Sequence, residues 1–136
     1  MTVTSANKEL VRRLYLEGLN AGDESVADEL VADDFVNEGG FTDAKGPEAF
    51  KVTIRRMRAS FPDLEYSLEE MIAEEDKVAV RWTMHGTHRG AYLGVEPTGR
   101  RIRLQALVIL IFRDGKVVGR RGIVDQFGLL KQLGAV

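Results

Sequence analysis

The hydrophobic period of the chain changes once, near Pro62. Before it, apolar residues recur every three or four positions, the spacing of helices buried on one face. Thr4 and Ser5 are potential caps for a first helix whose stripe is Leu10, Val11, Leu14, Tyr15 and Leu19. Asn20-Ala-Gly22 ends it, with Gly22 suited to a left-handed position after the last turn. Asp23 then caps a short second helix reaching Leu30 or Val31, and Asp33 to Gly40 reads as a short extended piece running into a loop. A third helix opens at Gly46-Pro47-Glu48, with proline in the first turn and an acid beside it. Its stripe is Phe50, Ile54, Met57 and Phe61, and Pro62 ends it. Lys51, Arg55, Arg56 and Arg58 fall mostly off that stripe and read as a solvated face.

After Pro62 the period is two. Leu64, Tyr66 and Leu68 alternate with polar residues, Glu74-Glu-Asp76 makes a turn, and Val78, Val80, Trp82 and Met84 line one face of a longer strand. A loop from Arg89 to Gly99 leads to a strand from Arg101 to Arg113. Asp114-Gly115 is a two-residue hairpin signal, and the last strand runs from Lys116 to about Asp125, before a short amphipathic helix. Helices first and strands second predict an α+β fold with a segregated sheet. If Arg113 faces Lys116, an unbroken register puts Asp125 opposite Leu104, Ile123 opposite Ala106 and Arg121 opposite Val108. Both faces of that hairpin are largely apolar. The helices of a chain this small cover only one, so a second subunit is expected on the other, as a homodimer through the sheet. One bulge would exchange the two faces.

The 136 residues fit one domain, 1–136, and 44% hydrophobic with 29% charged residues is ordinary for a globular protein. Nineteen basic against 21 acidic residues, a formal charge of -2, argue against nucleic acid as a partner. No cysteine is present, which removes disulfides and thiolate sites. Met1 to Lys8 lacks the apolar core of a signal peptide and no segment approaches a membrane span, so a cytoplasmic protein is expected.

Candidate chemistry centres on Asp125, an acid at the end of an apolar strand. Such a carboxylate is either an ion-paired structural group or a pocket acid with a tunable pKa, the kind general acid–base catalysis uses. Arg121 lies on the same predicted face, about 13 Å away along the strand. It either pairs with Asp125, making it a weaker base, or binds an anionic group of a ligand. Trp82 and Tyr15 are candidates for stacking on a flat ligand or for plain core packing. His85 and His88 fall on opposite faces and make no metal pair; His88 is either a pocket-rim group or a hydrogen-bonded strand-end residue. Asp33-Asp34 reads as turn chemistry, and Gly39-Gly40 lacks the strand-to-helix setting of a phosphate loop. No metal site is expected.

In order along the chain, Asn20-Ala-Gly-Asp23, Asp34-Phe-Val-Asn37, Gly46-Pro-Glu48, Phe61-Pro-Asp-Leu64, Val80-Arg-Trp-Thr83, Gly86-Thr-His-Arg-Gly90, Pro97-Thr-Gly99, Val124-Asp125 and Gly128-Leu-Leu-Lys-Gln-Leu-Gly134 resemble the SnoaL-like polyketide cyclase family of the NTF2-like superfamily. The resemblance spans roughly residues 7 to 134. It implies a cone, in which N-terminal helices pack on a strongly curved antiparallel sheet around an apolar pocket, and dimerisation through the sheet. It also implies cofactor-independent ring closure by intramolecular aldol condensation, with Asp125 as acid–base and a small hydrophobic, polycyclic aromatic ligand. Tyr15, Phe35, Glu38, Trp82, His88 and Arg121 are the candidate substrate-binding residues. Two positions depart from the family pattern: Asn37-Glu38 stands where many relatives have a histidine, and Arg120-Arg121 where they often have His-Trp. Glu38 either sits at the pocket rim or forms a carboxylate pair with Asp125. The competing functions are a non-catalytic module that holds a hydrophobic ligand and an epoxide-hydrolase-like enzyme, which needs a second pocket aspartate that the sequence does not supply.

Overall fold

The computed structural model describes residues 2–136. Helix α1 (Val3–Arg13) begins two residues before the expected cap. Thr2 accepts a bond from the Ser5 N–H at 3.1 Å, and the Ser5 hydroxyl accepts one from the Thr2 N–H at 3.1 Å. Ser5 thus serves at the third helical position of a reciprocal box rather than as the cap itself. The helix continues as a π-helical segment, Leu14–Asn20, ended at Gly22 in the left-handed region (φ 76°), as expected. Arg58 donates to the carbonyls of Leu19 and Asn20 at 3.0 and 2.7 Å, satisfying acceptors that a helix end leaves open. The Asp23 carboxylate accepts from the Ser25 N–H at 3.0 Å and starts α2 (Ser25–Leu30).

Helix α3 (Pro47–Ser60) buries Phe50, Ile54 and Met57, and Phe61 follows it into the core. Its other face is solvated, as expected. Lys51 pairs with Asp28, and Arg55 pairs with Glu24 and Glu48. Gly18 permits close approach of this helix, since a Cβ there would stand 3.2 Å from Phe50 Cε1.

The strands are β1 (Val31–Glu38), β2 (Glu65–Glu74), β3 (Lys77–Thr87), β4 (Arg101–Arg113) and β5 (Lys116–Val124), in the sheet order β1-β5-β4-β3-β2. Four of the five run antiparallel, but β1 joins β5 in parallel, so the sheet is mixed rather than wholly antiparallel. The piece expected to be short and extended became this edge strand because its end finds ladder partners, Val36 with Gly119 and Asn37 with Arg120. Helix α4 (Gln126–Gln132) closes the far end of β4, burying Leu129. The helices and sheet enclose one core around Val78, Val80, Met84, Leu104 and Val108. Among the described residues no helix is long and apolar enough to cross a membrane.

The hairpin departs from the sequence expectation at one residue. Asp114 (φ 51°) and Gly115 (φ 76°) form the left-handed two-residue turn, and Arg113 faces Lys116. Phe112 still faces Val117, but Ile111 faces Gly119, so Val118 is the extra residue of a bulge. Beyond it Leu110 faces Arg120, Ile109 faces Arg121, Val108 faces Gly122 and Leu107 faces Ile123. Arg120, Gly122 and Val124 therefore lie on the inner face, while Arg121 and Ile123 lie on the outer one. This reverses the predicted assignment. Gly119 accommodates the offset, because Ile111 Cδ1 lies where its side chain would start, 3.3 Å from an ideal Cβ.

Candidate functional site: a donor-rich aromatic pocket

The inner face of β3, β4 and β5 is the floor of a pocket roofed by α3 and the Gly39–Phe41 loop. Tyr66 and Trp82 meet edge to face at 4.8 Å, with Tyr15 behind them at 5.4 Å from Tyr66 and 6.2 Å from Trp82. Tyr92 stands opposite, its ring T-shaped to Phe41 at 6.2 Å and its hydroxyl donating to Gln126 Oε1 at 2.9 Å. The backbone of Tyr66 is held from the helical layer. Asn20 accepts from its N–H at 2.7 Å and donates to its carbonyl at 3.1 Å. The cavity is small, about 70 Å³.

One cation lines it. Arg120 is half-buried and donates through Nη1 to Asn37 Oδ1 at 3.0 Å. Its guanidinium folds back over Gly122, where a Cβ would lie 3.0 Å from Nη2. No carboxylate lines the pocket among the described residues. Burial pushes the hydroxyls of Tyr15, Tyr66 and Tyr92 up, with the Arg120 charge pulling Tyr15 and Tyr66 the other way. All three phenols are therefore neutral donors near pH 7 rather than bases. The buried Trp82 Nε1–H faces the Tyr15 hydroxyl without a well-aligned hydrogen bond.

The residues singled out from the sequence do not converge on the pocket. Trp82 combines the two readings, packing in the buried core while lining the pocket, and Tyr15 packs against it from the buried side. Phe35 is buried in the core and is not part of the lining. Glu38 and Arg121 lie on the outer face, both exposed, with Nε and Oε1 3.7 Å apart, so neither reaches the rim or Asp125 as anticipated. Asp125 is exposed. Its N–H donates to the Gln105 carbonyl at 2.9 Å, and its carboxylate accepts from the Gly128 N–H at 2.9 Å, capping α4. It sits between two lining residues, Val124 and Gln126, but on the outside of the wall. The one-residue offset is the cause, since it turned every side chain past Val118 to the opposite face.

His88 is fully buried beside Phe61, ring centroids 5.8 Å apart. Its Nδ1 accepts from the Thr98 N–H at 3.1 Å, which puts the proton of the neutral ring on Nε2. It is the hydrogen-bonded strand-end residue of the two readings, not a rim group. Arg120, Asn37, Tyr92 and Gln126 were missed. Glycine at 119, inside an otherwise regular strand, was the available signal of a bulge.

Comparison with known proteins adds a consistent pattern. A family model described as SnoaL-like polyketide cyclase matches residues 9–133. The chain is 34% identical over 128 residues to the aklanonic acid methyl ester cyclase AcmA of Streptomyces galilaeus, covering 91% of this chain and 88% of that one. It is 31% identical to the nogalonic acid methyl ester cyclase of Streptomyces nogalater, covering 88% and 91%. Its structure is similar to that of TsrD from Streptomyces laurentii, with a TM-score of 0.91, 26% identity and full coverage of both chains.

Proposed function

The chain belongs to the SnoaL-like polyketide cyclase family, and from that premise we propose that it closes a ring of a polyketide by cofactor-independent intramolecular aldol condensation. The observation that carries this reading is the aromatic pocket itself, with Tyr66, Trp82 and Tyr92 set to hold a flat, polycyclic aromatic ligand. Holding the two reacting carbons together supplies much of the acceleration in a reaction of this kind. A base removes the proton between two carbonyls, and the resulting enolate carbon forms the new C–C bond at a ketone carbon. The ketone oxygen, now an alkoxide, takes a proton from the conjugate acid.

Asp125 is the proposed acid–base. It stands between the lining residues Val124 and Gln126, as Glu38 does between Asn37 and Gly39, and to act it must release the Gly128 N–H and turn inward past Val124. Asp125→Asn separates this role from the structural one, because asparagine caps a helix as well as aspartate does. Melting should be unchanged, while kcat for a polyketide ring closure falls by about 10²–10⁴. Unchanged turnover would remove Asp125 from the chemistry. Saturable binding of flat ligands with no conversion by the wild type would favour the non-catalytic reading, to which the lack of a lining carboxylate lends support.

We also infer a homodimer through the outer sheet face. Ile72, Leu107, Ile109 and Ile123 are exposed there, an apolar set that a second copy would cover.

A further inference from the structure

We propose that the ligand of this pocket carries a carboxylate and that Arg120 is its counter-ion, so that the chain takes the free acid of its substrate class rather than the neutral ester. The inference rests on the pocket being the ligand site, as proposed above, but not on which residue is the base.

The charge balance of the arginines points this way. Arg12, Arg13, Arg55, Arg81, Arg101, Arg113 and Arg121 each stand within ion-pair distance of a carboxylate at the surface. Arg120 lies on the inner face, where its partners are neutral, the amide of Asn37 and the neighbouring Tyr15 hydroxyl. Arg56, Arg58, Arg89, Arg100 and Arg103 also stand outside the ion pairs, but none of them lines the cavity. Among the described residues no carboxylate stands within salt-bridge distance of it and none lines the cavity. The glycine at 122 leaves the space in which the guanidinium lies.

The remaining polar groups give the pocket the same bias. Asn37 Oδ1 already accepts from Arg120, Gln126 Oε1 accepts from Tyr92, and the Thr53 hydroxyl donates to the Ala49 carbonyl. The buried Trp82 N–H makes no well-aligned hydrogen bond, its neighbour being the Tyr15 hydroxyl. The amide oxygens of Asn37 and Gln126 are occupied while Arg120 keeps unused N–H donors, so the complementary ligand brings acceptors. A neutral ester closing over Arg120 would strip water from a permanent charge and return none. A carboxylate returns a charge and matches the planar fork with two parallel bonds. An enolate also carries charge, but only during turnover, and does not offset that cost in the bound ground state.

Trp82 is the chain's single tryptophan and lines the cavity, so its fluorescence reads occupancy directly. The full chain is titrated at pH 7 with 2-naphthoate and, separately, with methyl 2-naphthoate. The acid should bind at least about tenfold more tightly than the ester, with raised salt weakening the acid alone. Arg120→Gln should abolish the preference, and Arg120→Lys should keep part of it. Equal affinity of acid and ester in the wild type overturns the carboxylate assignment and leaves the pocket reading standing, with Arg120 then free to act on the enolate. A preference that survives in folded Arg120→Gln also overturns it. If neither probe binds, the carboxylate assignment and the pocket reading fall together.

Discussion

Asn20 and Gly122 show how single positions set the pocket. Asn20 ends the first helical run and then clasps Tyr66 with two bonds to its backbone, of 2.7 and 3.1 Å. Asn20→Ala leaves a strand N–H and carbonyl without those partners and should cost about 1–3 kcal/mol in urea denaturation. Asn20→Asp keeps the acceptor but loses the donor and should fall between the two. Gly122 acts through space rather than bonding. A methyl there meets Arg120 Nη2 at 3.0 Å and Val108 Cγ2 at 3.1 Å. The guanidinium is the end of a flexible side chain and yields first, so Gly122→Ala should change the melting temperature little while weakening binding of a flat carboxylate in the Trp82 fluorescence assay. An unchanged affinity would show that Arg120 has room the geometry does not suggest. The helix ends and turns behind these contacts were legible from residue types alone, whereas the Asn20–Tyr66 clasp was not, because it joins residues 46 apart.

At the scale of elements, the register of one hairpin decides which chemistry faces inward. The left-handed Asp114-Gly115 turn was legible from the sequence, because few other residue pairs tolerate two positive φ values. The bulge at Val118 was not, because its stability comes from packing of Ile111 over Gly119 and from the ladder with β1. A second element-scale contact joins the turn after α3 to the end of β3. Asp63 accepts from the Thr87 hydroxyl and N–H, both at 2.7 Å, and these bonds hold its carboxyl below the ordinary aspartate range. A carboxyl with a depressed folded-state pKa contributes stability that is fully present above its unfolded value, about 3.9, and lost as pH falls through the folded one. Asp63→Asn should therefore be less stable than the wild type at pH 7 and lose less between about pH 5 and 3. Parallel melting curves across that window would contradict the link.

For the molecule as a whole, the two faces of the sheet have different destinies. The inner face is covered by the helices, while the outer one exposes Leu107 at 57% and Ile123 at 82%, which is where a second copy is proposed. Ile123→Lys introduces a charge on that face without touching the core. Sedimentation should show the wild type as a dimer and the variant as a monomer with native circular dichroism, and a monomeric wild type would end the proposal. The cavity of about 70 Å³ is smaller than the roughly 300–1,000 Å³ of ordinary ligand sites. The Gly39–Phe41 roof, rich in glycine, lies outside any regular element.

Residue order alone determined the helices, the strands β2 to β5, the hairpin turn and the family, because periodicity and turn chemistry are local and the motifs occur in order along the chain. It also determined that both sheet faces are apolar, since that property survives an exchange of the two. Which face each side chain takes was decided only by tertiary structure. A strand alternates with period two, so one extra residue at Val118 moved Arg120 to the pocket and Arg121 and Asp125 to the outside. That residue is held in place by contacts distant in sequence, and no pattern along the last strand by itself contains them.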